Sequence, residues 1–199
     1  MRTLLAFPLV LAAAVVPACT DDDQDDADIA SDDGNDLGES HAINAEADLL
    51  IDDAPTAAGK AGAIMMAIDD GESALADFIL DLSSDPVILD FADEMIFVHT
   101  QHMADTAELL LSLDLVPIEN DTSIALAQEV DANLRLLDTA ADVDFEYMRQ
   151  QVVMHSEALV IVDVLVDITP IDELAAWFNE TLPVIQAHHV EAMSILRGL

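Results

Sequence analysis

Five stretches of this chain repeat apolar residues at the roughly 3.6-residue period of a helix face, and four of those stripes are interrupted near the middle by a side chain that water would ordinarily keep. The interruptions are Glu72, the pair His99 and His102, His155, and His188. Each falls at an inward phase, so a bundle built from these helices gathers them in its interior. Carboxylates and imidazoles withdrawn from water need partners. The layer is therefore either a self-satisfied polar knot or a ligand or metal site.

The first stripe, predicted over 57–82, runs Ala61, Met65, Ile68, Glu72, Leu75, Ile79 and Leu82, with Asp69, Asp70, Asp77 and Asp81 lying elsewhere on the helix. Ser84-Asp85-Pro86 supplies a cap and a first-turn proline for the second helix. Its inner face reads Ile88, Ala92, Met95, His99, His102, Thr106, Leu109 and Leu113, and Val116-Pro117 ends it. Phe97 falls on the otherwise polar side of this helix, unexplained except by a contact with the helix that follows. That third, weaker helix, over 122–140, aligns Ala127, Val130, Leu134 and Leu137.

Asp144 is the expected cap of a fourth helix, with Phe145, Met148, Val152, His155, Leu159, Val162 and Val166 in phase. Thr169-Pro170 opens a fifth, on which Leu174, Trp177, Thr181, Ile185, His188 and Ile195 face inward. Pro183 inside it predicts a kink or break. No segment reads convincingly as a strand. The pattern predicts an all-α antiparallel bundle with four long helices and a short one in the crossover.

Helical rise places the polar residues near one level. At ~1.5 Å per residue, Glu72 lies about 18 Å from the turn joining the first two helices, and His99 about 22 Å from it. If the short helix carries the chain back, the helix bearing His155 runs parallel to the one bearing His99, and His155 lies about 18 Å from its own start. His188 falls a few ångströms off this level, within the displacement that Pro183 introduces, and His102 lies about one turn deeper.

Charge limits what such a bundle can meet. Five Lys plus Arg stand against 41 Asp plus Glu, for a net charge of −36, which repels phosphate backbones and bare anionic headgroups. Nucleic acid is excluded as a partner on this ground. The 199 residues, 53% of them hydrophobic, suit a single core.

The N-terminus reads as an export signal over 1–18: Arg2 is the positive region, Leu4 to Val16 the apolar region, and Val16-Pro17-Ala18-Cys19 the processing site. The apolar run is too short to span a bilayer. Cys19, the only cysteine, stands where a lipobox places its lipid-modified residue, with simple cleavage after Ala18 as the alternative. A lone cysteine forms no internal disulfide. Residues 19–56 are expected to be an acidic disordered tether, with His41 solvated in it, leaving 57–199 as the bundle domain. These features together predict a lipid-anchored protein of the cell envelope; Thr20 after the cysteine, by likeness to known lipoprotein sorting, points to the outer membrane.

Three motifs then resemble a known family. Phe91-Ala92-x-x-Met95-Ile96-x-x-His99-Thr100, Asp144-x-x-Tyr147 with His155 eight residues after the tyrosine, and Leu182-Pro183-x-x-x-x-His188 are similar to those of a bacterial domain-of-unknown-function family, number 4142. Glu72 stands where that family usually has a glutamate in its first helix. The resemblance covers about residues 62–197. Val143 replaces the usual phenylalanine, and Phe97-Val98 replace usual acidic residues. The resemblance implies an exported protein, often a lipoprotein or predicted outer-membrane protein, with a ferritin-like four-helix bundle. It implies no settled activity.

Two functions follow from the inward layer. One is a non-enzymatic envelope scaffold or binding module, without an identified protein partner, in which Glu72 and the histidines satisfy one another and fix the bundle's register. The alternative is a periplasmic transition-metal protein, with Glu72, His99, His155 and His188 as ligands and His102 as an additional one, since imidazoles and one carboxylate suit copper, zinc or iron. Met95 and Met103 around His99, and Met193 after His189, would favour copper but serve equally as core filler. No Glu-x-x-His occurs, which disfavours di-iron chemistry. No serine or cysteine nucleophile with a suitably spaced base, and no Gly-rich phosphate loop, supports an enzyme.

Overall fold

The computed structural model describes residues 33–50 and 52–199; the expected export signal over 1–18, Cys19 and the acidic run 20–32 lie outside the described residues. Among the described residues six helices form: α1 Asp33–Leu49, α2 Ala54–Leu80, α3 Pro86–Ser112, α4 Asp121–Thr139, α5 Val143–Ile168 and α6 Asp172–Leu196. No strand occurs among the described residues. No described helix is long and apolar enough to cross a membrane.

Short polar caps set the boundaries. Asp53 accepts from the Thr56 amide, Asp85 from the Val87 amide, and Asn120 forms a reciprocal capping box with Ser123. The cap of α5 is Asp142, which accepts from the Phe145 amide, so Asp144 instead lies within the first turn. There its charge favours the positive end of the helix dipole.

Two helical hairpins, α2–α3 and α5–α6, make up the body, and α4 packs along α2. The amide of Ile118 donates to the carbonyl of Gly59, and the Asn120 amide group donates to the carbonyl of Lys60, so the chain leaving α3 is pinned beside the start of α2. A side-chain carbon on Gly59 would stand 2.5 Å from the carbonyl oxygen of Val116, which is why that contact admits only glycine. From there α4 runs back in the direction of α2, and α5 then follows the direction of α3.

The hydrophobic core is split into two blocks. One gathers Ile64, Met65, Leu110, Ile161, Leu165 and Phe178; the other gathers Leu75, Ile79, Phe91, Met95, Tyr147 and Met148. Along every long helix the break falls at a buried polar residue: Asp69 and Glu72 on α2, His99 on α3, His155 on α5 and His188 on α6. The polar residues form a slab through the middle of the bundle, with a dry layer above and below.

The expectation of a disordered tether over 19–56 is corrected for its second half. Residues 33–49 form α1, which lies chiefly against α5. Ala42, Ala45 and Leu49 are buried at helical spacing, and the two alanines allow close approach at little entropic cost. Polar clasps hold the strap's end. Asp48 accepts from the amide and hydroxyl of Thr122 at the start of α4, and Lys60 pairs with Asp52 and donates to the carbonyl of Asp48. His41, read as solvated, is half-buried and pairs with Glu129 at 3.0 Å.

Pro183 neither breaks nor ends α6, which runs unbroken through it. The amide it lacks frees the carbonyl of Asn179, and both residues are exposed, so that carbonyl is open to solvent. Phe97 is 72% exposed and stands beside α6 rather than against α4.

Candidate metal centre

Four helices deliver the polar slab. Their inward phase is fixed by the apolar residues one turn either side, such as Met95 before His99 and Ile185 before His188, both pulled into the core. The rings of His99, His155 and His188 form a nearly equilateral triangle, with centroids 5.8, 5.5 and 5.5 Å apart. One nitrogen from each lies within 4.8 Å of the others, and all three residues are buried.

Neighbouring groups set the tautomers. The Nδ1 of His99 donates to Oδ1 of Asp69 at 2.9 Å, and the Nδ1 of His102 donates to Oδ2 of the same carboxylate at 2.7 Å. The Nδ1 of His155 donates to the carbonyl of Gln151 at 2.9 Å, the residue one turn earlier on α5. Each proton on Nδ1 leaves Nε2 as a lone-pair donor, and the Nε2 atoms of His99 and His155 have no hydrogen-bond partner. Nor has Nδ1 of His188.

Of the residues singled out from the sequence, the fold thus brings His99, His155 and His188 together. Glu72 is placed beside them, its Oε1 3.2 Å from Nδ1 of His155, on the ring edge away from the free Nε2. His102 stands off the triangle. It is tied to the site only through Asp69 and stacks on Trp177 at 4.9 Å and 11°. The Trp177 indole in turn donates to the hydroxyl of Thr106.

Asp69 is the residue the sequence reading missed. Placed there among the outward acids, it is 1% exposed and supports two histidines. Its position three residues before Glu72 was the available signal, since that spacing stacks two side chains on one face. Gln151 and Tyr147 join the slab too: both amide atoms of Gln151 and the Tyr147 hydroxyl are buried without a hydrogen-bond partner.

The electrostatics divide the histidines. Burial lowers the His155 pKa well below the usual imidazole range, aided by the charge of His99, and burial with the same neighbour lowers His188 to about 4. Both are neutral at pH 7. On His99 the effect of burial is outweighed by the hydrogen bond to Asp69 and the charges of Glu72 and Asp69, and the net shift is upward. Burial also raises Glu72 to about 7, against the opposing influence of His99 and Gln151. Two neutral imidazoles stand ready as ligands, while the third is held toward its protonated form by the carboxylates beside it, and the Glu72 carboxyl exchanges its proton near pH 7.

Chemically, the triangle suits a transition-metal ion. Metal–imidazole bonds of about 2.0–2.1 Å separate tetrahedral ligand nitrogens by about 3.3–3.5 Å, so the open triangle needs only a small inward turn of its rings. Asp69 and the Gln151 carbonyl occupy the outer positions that normally orient metal-bound imidazoles. Three ligands leave one position free, on the pattern of an open zinc site.

No curated protein and no solved structure matches the chain. A family match does, and it extends from residue 39 to residue 195, taking in the second half of α1 as well as the four helices that carry the slab. The chain therefore belongs to the family described as "Domain of unknown function (DUF4142)".

Proposed function

We propose that this protein is an exported, lipid-anchored metal-binding protein of the cell envelope, whose ferritin-like bundle holds one transition-metal ion on His99, His155 and His188. The observation that carries the reading is the convergence of three buried imidazoles, one nitrogen of each within 4.8 Å of the others, in rings that each hold a nitrogen without a hydrogen-bond partner. A buried polar atom left unsatisfied costs about 1–3 kcal/mol, and a shared ion removes that cost at all three positions at once. Imidazole ligation suits zinc, copper or iron. Bound metal would be held by the three rings and would supply Lewis acidity at its free position. Asp69 and Gln151 orient His99 and His155, and Glu72 offers a nearby negative charge and a proton acceptor.

The anchoring half rests on Arg2, the apolar run Leu4 to Val16 and Cys19 at its end. Cys19→Ala should move the protein from the membrane fraction to the soluble periplasm. A wild type that fractionates as soluble, with no acyl mass increment, overturns it.

Metal content of protein purified without an affinity tag, followed by titration of the apo form with copper, zinc and iron, tests the site. One ion per chain is expected, with a rise in melting temperature that disappears in His155→Ala. Saturation at about 100 times Kd adds about 2.7 kcal/mol. His155 and His188 are already neutral at pH 7, so the proton that competes with the ion is the one on His99, and binding should weaken as the pH is lowered. The competing reading, a scaffold or partner-binding bundle with an empty polar core, is favoured by the two hydrogen bonds Asp69 already makes. It predicts no metal-dependent shift for any ion.

A further inference from the structure

A surface groove of about 390 Å³ runs between α3 and α6 and leads down to one member of the triangle. Its rim is exposed Phe97, Gln101, Glu180 and Val184, while its floor is buried Met65, Asp69 and His99. Neither His155 nor His188 lines it. Midway down stands His102, whose ring is 13% exposed, flat against Trp177, and fixed by Asp69 with its Nε2 unpartnered.

From this placement we infer that the groove is the loading route by which a divalent cation reaches the triangle, with His102 as the transfer ligand. The inference rests on the metal-binding reading above. Asp105 and Glu180 put carboxylates on two facing helices along the route, on a chain of net charge −36, and carboxylates lining a cleft raise the local concentration of cations. An ion stripped of part of its water there meets first the partly exposed ring of His102, whose buried, unpartnered Nε2 a small ring movement opens to it, and then, one turn along the same helix, the equally buried and unpartnered Nε2 of His99. The 96% buried His99 at the groove floor distinguishes this cleft from a mere acidic patch. Asp69 is the positioning residue. Because it holds both rings by Nδ1, the two Nε2 lone pairs are left for the ion.

The route shows in rates, the site in stoichiometry. Apo full-length protein is mixed with zinc(II) and a weak chromogenic indicator, and both the uptake rate and the final zinc per chain are read. The double variant Asp105→Asn, Glu180→Gln should load about tenfold more slowly at low salt, reach one zinc per chain, and approach the wild-type rate in high salt. His102→Ala should load slowly at every salt concentration. A control that removes the same charge from exposed carboxylates outside the groove, Asp77→Asn with Asp131→Asn, should load like the wild type. Groove variants that load at the wild-type rate, or a control that slows equally, overturn the route while leaving the site intact. A wild type that takes up no ion overturns the site, and the route with it.

Discussion

Asp69 and Glu72 stand one turn apart on α2, each 1% exposed, yet the two sides of the polar slab they occupy use their polar atoms in opposite ways. On the side toward α3, both oxygens of Asp69 accept from histidines, and Trp177 ties α6 to Thr106 of α3. On the side toward α4 and α5, neither oxygen of Glu72 has a hydrogen-bond partner, nor has the Gln151 amide, the Tyr147 hydroxyl or Oε1 of Glu157. Desolvation raises Glu72 to about 7, and desolvation with the charges of Glu129 and Glu72 raises Glu157 to about 8. A slab with donors facing acceptors is a finished structural element. Where buried carboxyls crowd together beside donors that do not reach them, desolvation favours their protonated form.

The comparison breaks most sharply at Asp69. Asp69→Ala strands the buried His99 imidazole and the partly buried His102 and should destabilise the apo protein by about 3–5 kcal/mol, read from urea unfolding. A loss below about 1 kcal/mol would mean that the α3 side is not held by this carboxylate.

The crowded side should reveal itself through pH. Glu157 carries a proton in the folded state up to about pH 8, whereas its ordinary value is 4.5, so its contribution to stability falls as pH rises across that window. His188, lowered from 6.5 to about 4, contributes the opposite slope, with stability lost as pH falls from 6.5 toward 4. Between pH 6.5 and 8 the carboxyls act without that opposition. The apo protein should become less stable over this range, and Glu157→Gln should flatten the decline. An unchanged slope in that variant would place the titrating group elsewhere.

The remaining effects are smaller. His41→Ala removes one half-buried pair on α1 and should cost about 0.5–1 kcal/mol in thermal denaturation, well below Asp69→Ala. Glu72→Met should shift apo stability by less than about 1 kcal/mol in either direction, because an apolar side chain replaces a carboxylate that has no hydrogen-bond partner. A large loss there would show that Glu72 supports the apo fold.

What was legible in the sequence follows the same divide. The four interrupted stripes gave the phase of His99, His155 and His188, because each sits between large apolar residues that leave no doubt about which way the face points. Asp69 escaped because it lies at the edge of its stripe, beside Ile68 and among Asp70 and Asp77 of the same helix and Asp81 at its cap, all of which do face water. The helix α1 escaped for a different reason. Its buried face is Ala42, Ala45 and Leu49, too little apolar surface to stand out against the surrounding acids, and what seats it is contact with α5 and the clasps to Thr122 and Lys60. Tertiary contact, not local pattern, supplies that helix. The misplaced cap of α5 was a choice between two aspartates two residues apart, which only the position of the Phe145 amide decides.

Pro183 gives the triangle an uneven stiffness. His99 is braced by a carboxylate and His155 by a backbone carbonyl, but His188 has an unpartnered Nδ1 and follows by five residues the place where α6 lacks a rung of its ladder. A helix missing one rung bends there without breaking another bond. Two of the three rings are a fixed frame, and the third rides on a compliant arm. Ions that prefer different bond lengths would then be accommodated by the movement of α6 alone, with the α2–α3 hairpin left undisturbed.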